Sequence, residues 1–278
     1  MKPSYHPLLV IFFLSCFSAS ANNYFQQQDT TDVWQDCFDK FFEKAEPVPH
    51  TEKVMLVLKN LKTVSLKNFL ASGNGDTSMG SPPKQGFADL DNDGKKELVL
   101  YDYTGGAHCC DEFFIFKNIA PNKYQYVNKT FAGDVCINDK NEFMYDFHQQ
   151  YGYFFTCFAC EYEDSSDAGP QPVSGITLKY AKGKLSVVPG DQQLKSTITD
   201  NLSKLKEQPY QKLQDEADQD NGLRKEFALN LVVYYYSFGK NLVAVQQLFN
   251  KYYRFPDAKK VWTEFVSLLN GIKKENDF

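Results

Sequence analysis

The sequence has no excess of positive charge and no long apolar run beyond its N-terminus. Its 278 residues contain 30 Lys and Arg against 35 Asp and Glu, which gives a formal net charge of −5. Nucleic-acid-binding proteins need a basic patch for the phosphates, so this balance argues against nucleic acid as a partner. No later segment approaches the roughly 18 uninterrupted apolar residues of a membrane-spanning helix. We therefore predict no membrane span in the mature chain.

Histidine is also scarce, with four copies, and this restricts the catalytic sites that the chain can build. His6 lies in the N-terminal leader, and His50 and His148 have no motif around them. His108 lies in the segment GGAHCC, whose residue types suit a nucleophile–base pair or a zinc site. On a strand, however, His108 and Cys109 face opposite ways, and adjacent ligands are too crowded for the usual zinc spacing. We expect no recognisable catalytic set.

The first residues have the pattern of a secretory signal peptide. Lys2 supplies a positive charge, residues 8–17 are mostly apolar, and Ala19-Ser20-Ala21 is a small-residue cleavage site. We predict that residues 1–21 are a signal peptide cut before Asn22, and that the mature protein is secreted or periplasmic. A membrane anchor and lipidation at Cys16 are the alternatives.

An exported chain with an even number of cysteines is expected to form disulfides. The candidates beyond the leader are Cys37, Cys109, Cys110, Cys136, Cys157 and Cys160. The adjacent pair Cys109-Cys110 can close on itself, or each can pair elsewhere, and Cys157-x-x-Cys160 can close locally. CxxC also resembles a redox motif, but here it lies in an aromatic, strand-like region rather than a turn before a helix. We expect structural bridges.

Residues 89–97, with the sequence DLDNDGKKE, predict a calcium loop. Alternating aspartates, a glycine for the sharp turn and a glutamate at the ninth position can converge on one cation. The backbone carbonyl of the seventh residue can add another oxygen, and calcium takes about six to eight. The predicted ligands are Asp89, Asp91, Asp93, Lys95 and Glu97. A polar turn without metal is the alternative.

The loop differs from an EF-hand, because its twelfth position is Leu100 rather than glutamate and a strand-like run follows. It resembles the aspartate loop of FG-GAP and related β-propeller repeats. A second copy follows about 45 residues later, a period typical of a repeated β-sheet unit. The matches pair Asp134 with Asp89, Asn138 with Asp93 and Glu142 with Glu97. Because Cys136 and Asp139 replace an aspartate and the glycine, we expect this loop to keep the shape and bind calcium weakly or not at all.

The segments DLDNDGKKELVL and YTGGAHCCDEFFIF together resemble a family of exported bacterial proteins that combine a DxDxDG loop, a strand and a GGAHCC motif. The resemblance covers about residues 86–190. Thr104 before the glycines departs from the family pattern, as do the extra cysteines. The resemblance implies a repeated β-sheet unit with calcium, and it implies no particular catalytic activity.

The predicted fold is α+β and β-rich. Two related antiparallel, propeller-blade-like units, stapled by disulfides, occupy residues 86–190, after an N-terminal segment at 22–85. Lys182-Gly183 marks a hairpin turn there. A helical C-terminal segment occupies 191–278, with helical spacing over 194–207, 222–238, 241–253 and 257–272 and with Asp257 as an N-cap.

The predicted function is that of a calcium-stabilised, disulfide-containing binding protein with a protein or glycan ligand. The 24 Phe and 17 Tyr residues would supply its contact surface. The alternatives are a secreted hydrolase with an unrecognised site and a thiol–disulfide protein.

Overall fold

The computed structural model describes residues 39–71, 83–103, 111–131, 134–138, 140–158, 160, 162, 172–213 and 219–278. For residues 103, 111, 131 and 134–136 it describes the backbone alone. The predicted signal peptide, Cys37, His108, Cys109 and Cys110 lie outside the described residues. No helix in the described ranges is long and apolar enough to cross a membrane.

The chain folds as α+β, with two sheets followed by helices, as predicted. The strands are β1 (Met55–Val57), β2 (Thr63–Ser65), β3 (Lys84–Ala88), β4 (Glu97–Tyr103), β5 (Asp111–Ala120), β6 (Lys123–Phe131), β7 (Asp134–Ile137), β8 (Glu142–Asp146), β9 (Gly175–Ala181) and β10 (Lys184–Val187). The helices are α1 (39–44), α2 (Leu66–Ala71), α3 (His148–Tyr151), α4 (Gln192–Lys206), α5 (Leu223–Ser237), α6 (Leu242–Tyr252) and α7 (Ala258–Glu275).

The first sheet has six strands in the order β2-β1-β6-β5-β4-β3. It is mixed, because β1 pairs parallel with β6 while the other pairs are antiparallel. The sheet thus takes β1 and β2 from the segment predicted as a separate N-terminal part. Strands β3 to β6 are consecutive neighbours and form an antiparallel meander.

Alternate side chains of this sheet enter two separate cores, because successive residues of a strand face opposite ways. Val99, Phe113 and Ile115 join the large core with the second sheet and the C-terminal helices. The other face is covered by α2, whose Phe69 ring packs edge-on against Phe114 at 5.4 Å. Burial on both faces explains why β4 and β5 are almost continuously apolar in their middle.

The second sheet is an antiparallel meander in the order β10-β9-β8-β7. Its β9–β10 turn is formed by Lys182 and Gly183, both with positive φ (53° and 74°), as a two-residue hairpin turn of this kind requires. The hairpin prediction is confirmed. Phe143 of β8 stacks on Phe113 of β5 with 5.0 Å between ring centroids, so the two sheets share the large core.

The C-terminal helices complete that core. Helix α4 begins at Asp191, whose carboxylate accepts a hydrogen bond from Leu194 N at 2.8 Å, a standard N-cap. Helix α5 is buried on nearly all sides, and α7 buries one stripe formed by Val261, Phe265, Leu269 and Ile272. The helical C-terminal segment is therefore part of the same packed body as the second sheet.

Candidate metal site

The aspartate loop connects β3 to β4 at one end of the first sheet. Ala88 pairs with Glu97 in the strand register, so residues 89–96 form a closed loop above that pair. Asn92 and Gly94 have positive φ values of 58° and 85°, a region that asparagine and glycine tolerate better than other residues. These two residues make the sharp turn that returns the chain to Glu97.

Three of the predicted ligands come together. Asp89, Asp91 and Glu97 each place one carboxylate oxygen within 4.8 Å of the others. Asp93 is not part of this group, and it accepts a hydrogen bond from Lys95 N at 2.8 Å, which tightens the turn. The carbonyl of Lys95 as a ligand stays a prediction. Carboxylate oxygens at this spacing are the ligands that calcium prefers.

Backbone donors hold two of the carboxylates in place. The oxygens of Asp89 accept hydrogen bonds from Asp93 N at 3.1 Å and from Gly94 N at 2.9 Å. Glu97 Oε2 accepts from Leu90 N at 3.1 Å. Hydrogen bonds within residues 89–97 therefore hold Asp89 and Glu97.

Residues of the second sheet and its turns also contact the aspartate loop. Lys182 N, in the β9–β10 turn, donates to Asp91 Oδ2 at 2.8 Å, and Tyr180 OH donates to Glu97 Oε1 at 3.2 Å. Asn141 Nδ2, between β7 and β8, donates to the Asp89 carbonyl at 3.1 Å. The loop therefore lies at the junction of the two sheets. Sequence reasoning missed these three residues, because nothing in the local pattern connects them to the loop.

The electrostatics of the site favour a cation. Glu97 is only 4% exposed, and burial raises its pKa to about 7, with the Asp91 and Asp93 carboxylates also raising it and the Leu90 N–H and Tyr180 OH lowering it. Asp91 Oδ1 is buried without a hydrogen-bond partner. A divalent cation among these oxygens would neutralise the repulsion between the carboxylates. It would also give Asp91 Oδ1 a partner, so the residues present fit calcium.

The second loop does not keep the shape of the first, so that expectation is wrong. Asp134–Ile137 forms strand β7, so Asp134 lies in a strand paired with Asp146 rather than in a loop. Asn138 N donates to the Glu142 carbonyl at 2.9 Å, which leaves only residues 139–141 to turn the chain. Asn138 still bonds to the Glu142 carboxylate at 3.1 Å, but no room remains for a metal loop.

One of the predicted disulfides lies within the described residues. Cys157 and Cys160 are bonded, with their Cα atoms 5.0 Å apart. For Cys136 the backbone alone is described, within β7. The predicted pairing of Cys109 and Cys110 lies outside the described residues.

The described residues hold one group of side chains that could bind a metal ion. Asp89, Asp91 and Glu97 are their one cluster of three or more metal-binding side chains. His50 lies on the surface 3.5 Å from Glu52. A polar depression of about 350 Å³ on α4 is lined by Thr197, Asp200, Asn201, Ser203 and Lys204. It contains neither a histidine nor a cysteine.

Compared with known proteins, the chain matches no family model, no curated protein and no solved structure. The resemblance to exported DxDxDG and GGAHCC proteins therefore rests on the motifs alone.

Proposed function

We propose that the protein is an exported, calcium-stabilised binding protein. One observation carries the proposal: Asp89, Asp91 and Glu97 converge at the junction of the two sheets, where Asp91 Oδ1 is buried without a partner. Folding three carboxylates together without a cation costs free energy through repulsion and desolvation. Such an arrangement is expected where a bound ion offsets that cost.

Calcium would be held by Asp89, Asp91 and Glu97, with Asp93 and the Lys95 carbonyl as further predicted oxygens. Bound there, it supplies positive charge that keeps Glu97 ionised. The protein's own contribution is to fix the loop through Leu90 N–H and to join it to the second sheet. The ion would therefore stabilise the joint between the two sheets rather than carry out a reaction.

The strand order of the two sheets supports the proposed relation to propeller-type repeats. Strands β3 to β6 and β7 to β10 are both four-stranded antiparallel meanders. In each meander the second strand begins with a glutamate, Glu97 or Glu142, that bonds to its preceding loop. We propose that the two meanders are related, blade-like units, and that only the first has a calcium loop.

A ligand of protein or glycan type is proposed because aromatic side chains suit both. Tyr153 is 64% exposed and packs beside Phe158, with 5.4 Å between the ring centroids. Export to the periplasm or beyond is supported by the signal-peptide pattern and by the disulfide, which persists in oxidising compartments. The alternative of a secreted hydrolase has no cluster of described side chains that favours it.

Thermal unfolding with calcium and with chelator tests the proposal. A ligand at 100 times its dissociation constant stabilises a fold by about 2.7 kcal/mol, which shifts the midpoint of a chain of this size by several degrees. We expect that shift in the unmodified protein and in Asp200→Ala, a control at an exposed aspartate of α4. Asp91→Ala should abolish it. An equal midpoint in calcium and chelator would overturn the proposal.

Binding to a panel of glycans and candidate proteins, with calcium and with chelator, then tests the ligand class. Hydrolysis of a generic ester, phosphoester, peptide or glycoside by the purified protein would instead show an enzyme.

A further inference from the structure

The disulfide between Cys157 and Cys160 closes a very short loop. The two cysteines are 3 positions apart, with 5.0 Å between their Cα atoms. A disulfide stabilises a fold largely by removing conformational freedom from the unfolded chain, and that contribution is smaller for a shorter loop. A loop this short therefore gains little stability from its disulfide. Both cysteines are half-buried, so the bond is only partly shielded from solvent.

Other contacts fix the same loop without the covalent bond. The ring of Phe158, the residue after Cys157, packs edge-on against the His148 ring at 5.1 Å between centroids. A side-chain carbon at Gly152 would overlap that phenyl ring. His148 Nε2 also lies 3.3 Å from the Phe158 carbonyl oxygen. Because packing already places the loop, opening the disulfide would leave the two sulfurs close together.

The residues before the loop are fixed to the segment that leads into α5. Thr156 Oγ1 donates a hydrogen bond to the Asp220 carbonyl at 2.9 Å, and Asp220 N donates to the Phe155 carbonyl at 2.9 Å. Thr156 is buried, as is Asp220. Hydrogen bonds to a buried residue thus support the chain just before the CxxC segment.

A buried cation lies against the CxxC backbone. Lys225, in the first turn of α5, is 1% exposed. Its ammonium group donates to the carbonyl of Cys160 and, at 3.4 Å, to that of Phe158. A positive charge near a cysteine favours the thiolate, which is both the nucleophile and the better leaving group in disulfide chemistry.

We propose that Cys157–Cys160 is a redox-active site that oxidises dithiols by thiol–disulfide exchange, with Lys225 as a positioning residue. One thiolate of the dithiol attacks a sulfur of the disulfide. The S–S bond breaks, a mixed disulfide forms, and the other cysteine leaves as a thiolate. The second thiol of the dithiol then loses its proton and attacks the mixed disulfide. The substrate departs as a disulfide, and the protein retains two electrons and two protons as Cys157 and Cys160 thiols.

Equilibration of the folded full-length protein in glutathione redox buffers tests the site. Alkylation followed by peptide mass spectrometry reports the state of this pair apart from the other cysteines. We expect the pair to be reduced and reoxidised while the circular dichroism spectrum stays native. For each Cys157–Cys160 pair that is reduced, one molecule of added dithiothreitol should be oxidised. The double variant Cys157→Ser, Cys160→Ser should oxidise less dithiothreitol by that amount. A pair that stays oxidised until the protein unfolds is a structural bridge only, and overturns the proposal.

The role of Lys225 is tested on the reduced pair by the pH dependence of alkylation. We expect a thiol pKa below the ordinary value of about 8.5. Lys225→Met should slow alkylation at pH 7 by roughly tenfold, the change in thiolate fraction that one pKa unit gives, and Lys225→Arg should restore it. Lys251→Met, at an exposed lysine of α6, is the control.

If Lys225→Met fails to fold, the pH profile of the unmodified protein decides, and a thiol pKa at or above the ordinary value overturns the role of Lys225. None of these outcomes affects the calcium proposal, because the two sites share no residue.

Discussion

The backbone N–H of Lys182 donates a hydrogen bond to Asp91 Oδ2 at 2.8 Å, although the two residues are 91 positions apart. Lys182 lies in the β9–β10 turn of the second sheet, and Asp91 lies in the aspartate loop of the first. One carboxylate therefore has two tasks: one oxygen joins the sheets, while the other is buried without a partner and available to a cation. The proposed metal site and the inter-sheet joint are the same structure.

Replacing Asp91 by asparagine separates these two tasks. Asp91→Asn keeps an oxygen for Lys182 N–H but removes the negative charge. In chelator we expect the midpoint of unfolding to stay equal or rise slightly, because repulsion with Glu97 is relieved. In calcium we expect most of the stabilisation of about 2.7 kcal/mol at 100-fold saturation to be lost. Full calcium stabilisation in Asp91→Asn, measured by thermal unfolding, would contradict the assignment of Asp91 as a ligand.

Gly94 offers a test of the loop turn with a matched control. Gly94 has φ of 85° and Gly239 has φ of 89°, and an added side-chain carbon would meet nothing within 4 Å at either. Alanine should therefore cost each site about 1 kcal/mol through backbone strain alone. We expect equal losses in chelator by urea unfolding. In calcium the loss in free energy of unfolding should be larger than in chelator for Gly94→Ala, because Gly94 lies in the proposed metal loop. It should be the same as in chelator for Gly239→Ala.

An equal dependence on calcium in the two glycine variants would show that the loop conformation does not matter for metal binding.

Much of the fold follows from local pattern. The apolar run of β4, the Lys182-Gly183 turn and the C-terminal helices were all predicted, because each depends on periodicity or turn chemistry within a few residues. Asp257 illustrates the limit. It is at the N-cap position of α7 but makes no capping hydrogen bond, because its carboxylate accepts from Arg224 and Tyr253 instead. The position was predictable, and the partner was not.

In the candidate site, too, the local features could be predicted from the sequence and the long-range contacts could not. The spacing predicted four carboxylates, and the structure brings three of them together, Asp89, Asp91 and Glu97. Asn141, Tyr180 and Lys182 could not be predicted, because their approach depends on how the sheets pack. The second loop was mispredicted because residue types were matched without regard to strand length. The run DVCI extends the strand to Ile137 and leaves too few residues for a loop.

A buried acid in β8 predicts how stability depends on pH. Burial raises the pKa of Asp146, which is opposed by hydrogen bonds from Ser174 Oγ and from His148 N at 2.6 Å and by the charge of His148. The folded state therefore holds this proton more tightly than the unfolded state. The contribution to stability is present at low pH and is lost as the pH rises from the ordinary aspartate value through the raised one.

Asp146→Asn should remove this part of the pH dependence, because the amide does not titrate. Its oxygen can accept from His148 N, and its NH2 group can donate to the Ser174 hydroxyl oxygen. Urea unfolding in chelator over a series of pH values measures the slope. The control Asp200→Asn, at an exposed aspartate, should keep the slope of the unmodified protein. An unchanged slope in Asp146→Asn would mean that Asp146 is ionised throughout in the folded state.

The last prediction concerns the buried ion pairs that join α5 to α7. Arg224 is 1% exposed, and its guanidinium donates to Asp220 at 2.7 Å and to Asp257 at 2.9 Å. A third donation, at 2.9 Å, reaches the Gln211 carbonyl. Removing one partner of a buried ion pair leaves an uncompensated charge, which typically costs about 3–5 kcal/mol. Arg224→Met should therefore destabilise the protein by about that amount, while Arg254→Met, at an exposed arginine, should change stability by less than about 0.5 kcal/mol.

Asp257→Asn tests whether charge or packing is responsible. It keeps one oxygen for the Arg224 guanidinium and places an NH2 group, a donor, beside the Tyr253 hydroxyl oxygen. Asp220 still pairs with the guanidinium, so we expect a smaller loss than in Arg224→Met. Because Asp220 also accepts from Gly222 N at 2.9 Å, the start of α5 should loosen in Arg224→Met, and amide exchange there should become faster. Equal losses in Arg224→Met and Arg254→Met would show that the buried ion pairs contribute nothing beyond the methylene packing of the arginine.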